Sequence, residues 1–371
     1  MDEHIQRMEI WHVFVLIIVT LTLVSCGSSG SGSVMTGIED SSLEKQDGNT
    51  SDDGEPSHRP DDPTPYDKLM DYAKPPGLQK PADVPMFVTI GFDDNGYSEG
   101  INWILNFLRD KYAKNGTPAS VSFFVTTGYL YDDKEVESPY AEPLDDPLYL
   151  KNAWRKAYDE GHVIGSHSQH HFNGLRSDFS TEEWAQEMQI SLDVLTAPYS
   201  DDGAAEPGVA GIGVPRQEIW GFRAPFLEFN NNTFLAAKKT GFTYDCSIAE
   251  GWQWQQNGTD FLWPYELKDG SPGYEEIRGW GMGHPAIENH PGLWEMPVHP
   301  VLVPPDYRAE EYGLKPGLRA KLRLKVGWFD VKSGKINGAD YNMWFNDNFH
   351  MTKDEVLASL KYTLDLRPVS Y

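Results

Sequence analysis

Cysteine is scarce in this 371-residue chain, with only Cys26 and Cys246. That excludes a disulfide scaffold and leaves a hydrophobic core to hold the fold. Cationic side chains are also in short supply, 31 Lys and Arg against 56 Asp and Glu, for a net charge of −25. This balance argues against a nucleic-acid partner, because contact with a phosphate backbone needs a basic surface. A neutral or cationic substrate suits the acidic field better, although such a surface also serves solubility. The apolar run VFVLIIVTLTLV (13–24) is too short to span a bilayer comfortably. What the chain does have is apolar content: 39% hydrophobic and 13% aromatic residues can bury a large core in one big domain or two ordinary ones. No internal repeat is visible.

The run at 13–24 has the length of a signal-peptide h-region. It leads into Leu23-Val-Ser-Cys26, which resembles the lipobox of bacterial lipoproteins, where the cysteine becomes the lipidated first residue. The expectation is an exported lipoprotein of the cell envelope, at the outer membrane facing the periplasm or at the cell surface. It would be held to the membrane through lipid on Cys26, leaving Cys246 without a partner. The start MDEHIQRMEIWH carries acids and only Arg7 as a clear base, so an uncleaved N-terminal anchor is the alternative. Residues 27–83 begin rich in Gly, Ser, Asp and Pro without apolar periodicity, and read as a flexible acidic tether.

From residue 84 onward, short β-rich runs alternate with amphipathic helices. Strands are expected at 86–92, 121–127, 162–166, 219–224, 242–248 and 293–298, and helices at 98–113, 147–160, 180–197, 231–240 and 352–366. Ser180 with Glu183 and Thr352 with Glu355 form capping boxes, and Gly161 and Gly241 stand where helices should stop. Such alternation implies parallel strands with helical crossovers, an α/β layer or barrel. The long Gly/Pro/Trp-rich connections at 200–218 and 249–292 are of the kind that carries function.

The polar residues fit for chemistry gather at the ends of consecutive strands, where parallel α/β folds assemble their sites. The first strand ends in Asp93-Asp94, the third in the cluster GSHSQHHF (165–172), the fourth in Arg223-Ala-Pro-Phe226. Neighbouring residues on a strand point to opposite sides, so the two aspartates take different roles or sit in a turn. One carboxylate with two imidazoles is a usual ligand set for a catalytic zinc. The second carboxylate is then available as a general base, kept ionised by a nearby arginine. Spacing alone leaves two histidine pairs open, His167 with His170 or His167 with His171.

FDD, HSQHH and RAPF, in this order, resemble the first three motifs of the polysaccharide deacetylases (NodB homology, carbohydrate esterase family 4). The stretch RAPFLEFNNNTFLAAKKTGFTYDCSI with LWPYEL and WEMPV is similar to their chitin-deacetylase-like branch. The resemblance covers residues 84–371. It implies a distorted (β/α) barrel and a divalent metal, usually zinc, that removes N-acetyl groups from an N-acetylglucosamine-containing polysaccharide. By the family's His-Ser/Thr-x-x-His pattern, Asp94, His167 and His171 would hold the metal and His170 would be a bystander. Asp93 would be the base on the metal-bound water, Arg223 would orient it and keep it ionised, and Phe226 would wall the sugar groove.

Two departures stand out. The usual TFDDG reads Gly91-Phe92-Asp93-Asp94-Asn95 here. The family's final Leu-x-His, source of the acid that protonates the leaving amine, has no match after the last helix. The barrel would then be incomplete at its C-terminus, with the acid supplied by His299 or from beyond this chain. Asp245 and Trp252 are the nearest matches to the Asp-x-x-Asp-Trp motif. Trp252, with Trp254, Trp263, Trp280 and Trp294, offers faces for stacking on sugars. His284 and His290 read as loop packing. Two alternatives accompany the deacetylase: a non-catalytic, lipid-anchored carbohydrate-binding protein lacking the acid histidine, and an O-acetyl glycan esterase.

Overall fold

The computed structural model describes residues 88–94, 96–113, 115–131, 133–137, 144–249, 262–271, 288–336, 341–344 and 348–366. The N-terminal segments with Cys26, and the positions of Trp252, Trp254, Trp280 and His284, lie outside the described residues. No helix among the described residues is long and apolar enough to cross a membrane.

The chain alternates strands and helices as its periodicity implies. In order these are β1 (Gly91–Asp93), α1 (Ser98–Leu108), β2 (Ser122–Val125), α2 (Pro147–Asp159), β3 (Val163–Ser166), α3 (Thr181–Thr196), β4 (Gly221–Phe222), α4 (Asn231–Thr240), β5 (Tyr244–Asp245), β6 (Tyr265–Glu266) and β7 (Trp294–Glu295). They build one seven-stranded sheet in the order β1-β2-β3-β4-β5-β7-β6. Every neighbouring pair is parallel except β6 with β7. From β1 to β5 the strand order follows chain order with a helix between successive strands, the winding of a (β/α) barrel. It is the α/β architecture expected.

Local chemistry sets the helix boundaries. Ser180 and Glu183 close the expected capping box on α3. Asn230 and Thr233 form another on α4, which ends on Gly241 at φ 84°, a left-handed cap that glycine adopts without strain. Asp146 caps α2, with Pro147 at its first turn. Helix α1 stops five residues short of the expected 113. Lys111 N donates to Leu108 O and Ala119 N to Lys111 O, so the chain doubles back through an Asn115-Gly116 turn instead.

The main core lies between the sheet and helices α1–α4 and includes Phe123, Trp154, Trp184, Phe222 and Phe234. A second core, which no periodicity revealed, gathers β8 (Val301–Leu302), α5 (Leu318–Lys325), β9 (Lys335–Ile336) and α6 (Lys353–Leu366) around Leu322, Phe329 and Phe349. Strands β8 and β9 pair antiparallel in their own small sheet. Phe92, inside β1, packs against both cores and so anchors the first strand between them.

Candidate metal centre

Every sequence-expected site residue within the described segments, Phe226 included, falls at or just beyond a C-terminal strand end. Asp93 closes β1 and Asp94 follows it. Asp94 adopts φ 56°, a left-handed turn that lets adjacent carboxylates serve one site rather than opposite faces of the sheet. Its backbone N–H still donates to Phe124 O, and Thr126, beyond β2, donates its hydroxyl to Asp94 Oδ1.

The histidine turn is closed by two serines. Ser166 Oγ accepts from Ser168 N (3.2 Å), and Ser168 Oγ accepts from His171 N (3.1 Å). Ser168 and His171 both take left-handed backbone, φ 67° and 60°, bringing the rings of His167 and His171 to a centroid separation of 5.0 Å. Each ring spends its Nδ1 on a backbone carbonyl, His167 on Arg223 O (2.8 Å) and His171 on Glu137 O (3.0 Å). Those bonds set the tautomer and leave both Nε2 atoms to face the site.

Of the six non-glycine residues with positive φ among the described residues, five stand here: Asp94, Ser168, His171, Phe226 and Leu227. Strain of this kind costs about 1–3 kcal/mol per residue and persists only where the surroundings impose it, as functional sites do.

One donor atom each from Asp94, His167 and His171 lies within 4.8 Å of the other two, the only such group among the described residues. Asp94 Oδ2, His167 Nε2 and His171 Nε2 are buried without a hydrogen-bond partner. Asp94 Oδ2 and His171 Nε2 are 3.0 Å apart but not in hydrogen-bond geometry. Leaving buried polar atoms unsatisfied costs about 1–3 kcal/mol each. A divalent cation among the three would satisfy all of them, and the nitrogen-and-oxygen donor set suits zinc. The residues present therefore fit a metal. His167 is pushed down to about 3 by burial, so its ring is neutral and its lone pair free for coordination. Burial alone would raise Asp94, but the facing His171 and His167 and the Thr126 hydroxyl hold it below the usual carboxylate range.

Asp93 and Arg223 form a buried ion pair, Oδ1 to Nη1 2.6 Å, with side chains 1% and 0% exposed. Burial raises Asp93 to about 6 despite the opposing pull of Arg223. Arg223 thus pairs with Asp93 as expected, but it moderates the carboxyl's rise rather than holding it at its ordinary value. The guanidinium is fully engaged: Nε donates to Cys246 O and Nη2 to Cys246 Sγ, both at 2.8 Å. Asp93 Oδ2 has no hydrogen-bond partner. Phe226, half-buried and at φ 60°, lays its ring 4.5 Å from that of His171.

Asp245 closes β5 and accepts from Ser247 N (2.8 Å) and Ser247 Oγ (2.9 Å), while that same hydroxyl accepts from Ala224 N beside Arg223. His299 follows Val298, which bridges to Ala249 beyond β5. His290 is buried against Phe234, its Nε2 3.1 Å from Asn231 Oδ1, in keeping with loop packing. Thr126, Ser168, Glu137 and Cys246 were not legible as site residues in the sequence. Ser168 alone carried a local sign, its place inside HSQHH.

Fold and site together define an α/β protein with a buried Asp-His-His centre at the strand ends. In sequence the chain is 25% identical over 226 residues to chitin deacetylase 8 of Bombyx mori, covering 60% of this chain and 49% of the relative. It is 24% identical over 177 residues to chitin deacetylase 1 of the same moth, covering 47% of this chain and 27% of the relative. The chain thus spans about half the length of the first and about a quarter of the second. No protein-family model matches. Solved structures that resemble it include a family 4 carbohydrate esterase from Streptomyces lividans in complex with acetate (17% identical, TM-score 0.26, covering 42% of this chain and 59% of that one). Another is the Xyl-CE4 domain of a xylanase from the hindgut metagenome of Trinervitermes trinervoides (13%, TM-score 0.27, covering 44% and 58%). The chain is thus similar in sequence to chitin deacetylases, in line with the resemblance its motifs carry.

Proposed function

We propose that this chain is a metal-dependent hydrolase that removes N-acetyl groups from an N-acetylglucosamine-containing polysaccharide, chitin-like or peptidoglycan-like. One observation carries the reading: three buried, unpartnered donor atoms converge beside a buried Asp93–Arg223 pair whose outer carboxylate oxygen is also unpartnered. The chitin deacetylase relatives support the choice of substrate class.

Asp94, His167 and His171 would hold the metal, zinc by preference, which when bound supplies Lewis acidity toward an acetyl carbonyl and makes a nearby water more acidic. Asp93 Oδ2 takes the proton of the attacking water, a task suited to a carboxyl near 6 that is ionised at neutral pH. The water oxygen bonds to the acetyl carbon, the C–N bond breaks, and the amine leaves with a proton supplied by a general acid; His299 is the candidate within this chain. Arg223 holds Asp93 in one orientation, and Thr126 does the same for Asp94. Phe226 offers an aromatic wall for a sugar ring beside His171. Lipid on Cys26 would place this activity at the bacterial cell envelope.

The test is acetate release by the zinc-supplemented full chain from chitooligosaccharides and, in parallel, from O-acetylated xylan. Release from the first supports the proposal. Release from xylan alone replaces it with an esterase, and release from neither leaves a carbohydrate-binding protein.

A further inference from the structure

His170 stands between the two histidine ligands and is not one of them, yet its ring is bonded through both nitrogens. Its ring is buried, with Nδ1 2.6 Å from Glu187 Oε1 and Nε2 3.1 Å from Asp133 Oδ2. Its backbone N–H donates to the other oxygen of Glu187 (3.1 Å), so that one carboxylate from the middle of α3 grips main chain and side chain together. Asp133 also accepts from Gln169 Nε2, at 3.1 Å. The loop carrying Asp133 then closes on the next residue. Glu137 N donates to His170 O (2.8 Å), and Glu137 O is the acceptor that orients the His171 ring through Nδ1.

We propose that His170 is a positioning residue for the metal centre, a clamp that ties α3 and the 133–137 loop to the turn and thereby aims His171 Nε2. The inference rests on the metal reading of Asp94, His167 and His171. Its physical basis is the strain at His171: a non-glycine residue at φ 60° stays there only while its neighbours impose it. Ser168 Oγ holds the His171 backbone from inside the turn, and the Glu187–His170–Asp133 series holds it from outside. Without His170, Glu137 keeps its bond to the ring, but its loop loses one of the two side-chain ties on Asp133 and is left with Gln169 alone, while the turn loses its side-chain tie to Glu187. The spacing His-x-x-x-His places no demand on the fourth residue, so the role comes from partners 17 and 37 positions away.

The experiment titrates metal-free full chain with Co(II), following the visible absorption of the bound ion for affinity and ligand geometry. Wild type, His170→Ala, His170→Asn and Glu187→Gln are compared, with near-ultraviolet circular dichroism to verify the fold. Loss of a partner that orients a metal-binding imidazole weakens affinity roughly 10- to 100-fold. His170→Ala is expected to show that loss with an altered spectrum. His170→Asn, whose amide can still donate to Glu187, should recover much of the affinity. Should His170→Ala fail to fold, Glu187→Gln carries the same expectation in milder form. Wild-type affinity and spectrum in folded His170→Ala and Glu187→Gln overturn the clamp and leave the metal site standing. No Co(II) binding by wild type overturns the metal reading and the clamp with it.

Discussion

The Arg223 guanidinium lies directly over Gly91. A Cβ built at Gly91 would come within 2.9 Å of Nη1 and 3.0 Å of Nη2. The first strand carries GFDD where related motifs carry TFDD, and the missing side chain is the space that Arg223 occupies. Gly91→Ala pushes on the far end of a flexible side chain, so the fold should survive. The guanidinium has to slide, however, and its 2.6 Å contact with Asp93 is what slides with it. Small misplacements at a reacting centre cost roughly a hundredfold in rate. We expect kcat for acetate release to fall by about 10- to 100-fold in Gly91→Ala with metal content unchanged, checked by steady-state kinetics and metal analysis on one preparation.

The metal ligands should couple to stability. A ligand at a hundred times its dissociation constant stabilises the folded chain by about 2.7 kcal/mol. Zinc is therefore expected to raise the unfolding temperature of the metal-free wild type, and a chelator to reverse the rise. His167→Ala should abolish the response, because its ring is one of three converging donors.

Asp245 gives stability a pH dependence of definite sign. Burial pushes its carboxyl from 3.8 up to about 6, against the pull of its hydrogen bonds with Glu295 and Ser247 and of Arg223. The folded chain thus holds this proton more tightly than the unfolded chain does. The contribution is fully present below about 3.8 and is lost as pH rises through about 6. Urea unfolding between those pH values should show wild type losing stability as pH rises, and Asp245→Asn losing less.

Phe226→Ala removes the ring beside His171 while leaving the metal donors in place. An aromatic contact of this kind is worth about 1 kcal/mol, or roughly fivefold. The expected result is a KM for chitooligosaccharides raised by about that factor, with metal affinity unchanged.

Much of this arrangement was legible in the residues. Capping signals located α3 and α6, and the order of FDD, HSQHH and RAPF located the strand ends that meet at the site. What stayed hidden was of two kinds. Helix α5 (LRAKLRLK) has no side-chain cap and leaves Leu324 89% exposed, so its apolar positions do not mark a buried face. The left-handed turns at Asp94, Ser168 and His171 fall on non-glycine residues, where no glycine marks the conformation in the sequence. They arise from hydrogen bonds closed by the tertiary structure. Spacing left His170 open as a ligand and the family pattern made it a bystander; its clamping role stayed hidden because the carboxylates that hold it come from α3 and a distant loop.

The proposed mechanism gives two adjacent carboxylates different work, Asp94 as a metal donor and Asp93 as the base. It is tested most directly by measuring bound zinc and acetate release on the same sample of Asp93→Asn. One zinc per chain is expected, as in wild type, with acetate release from chitooligosaccharides abolished. Asp93→Asn that loses its zinc, or that keeps wild-type acetate release, would contradict it.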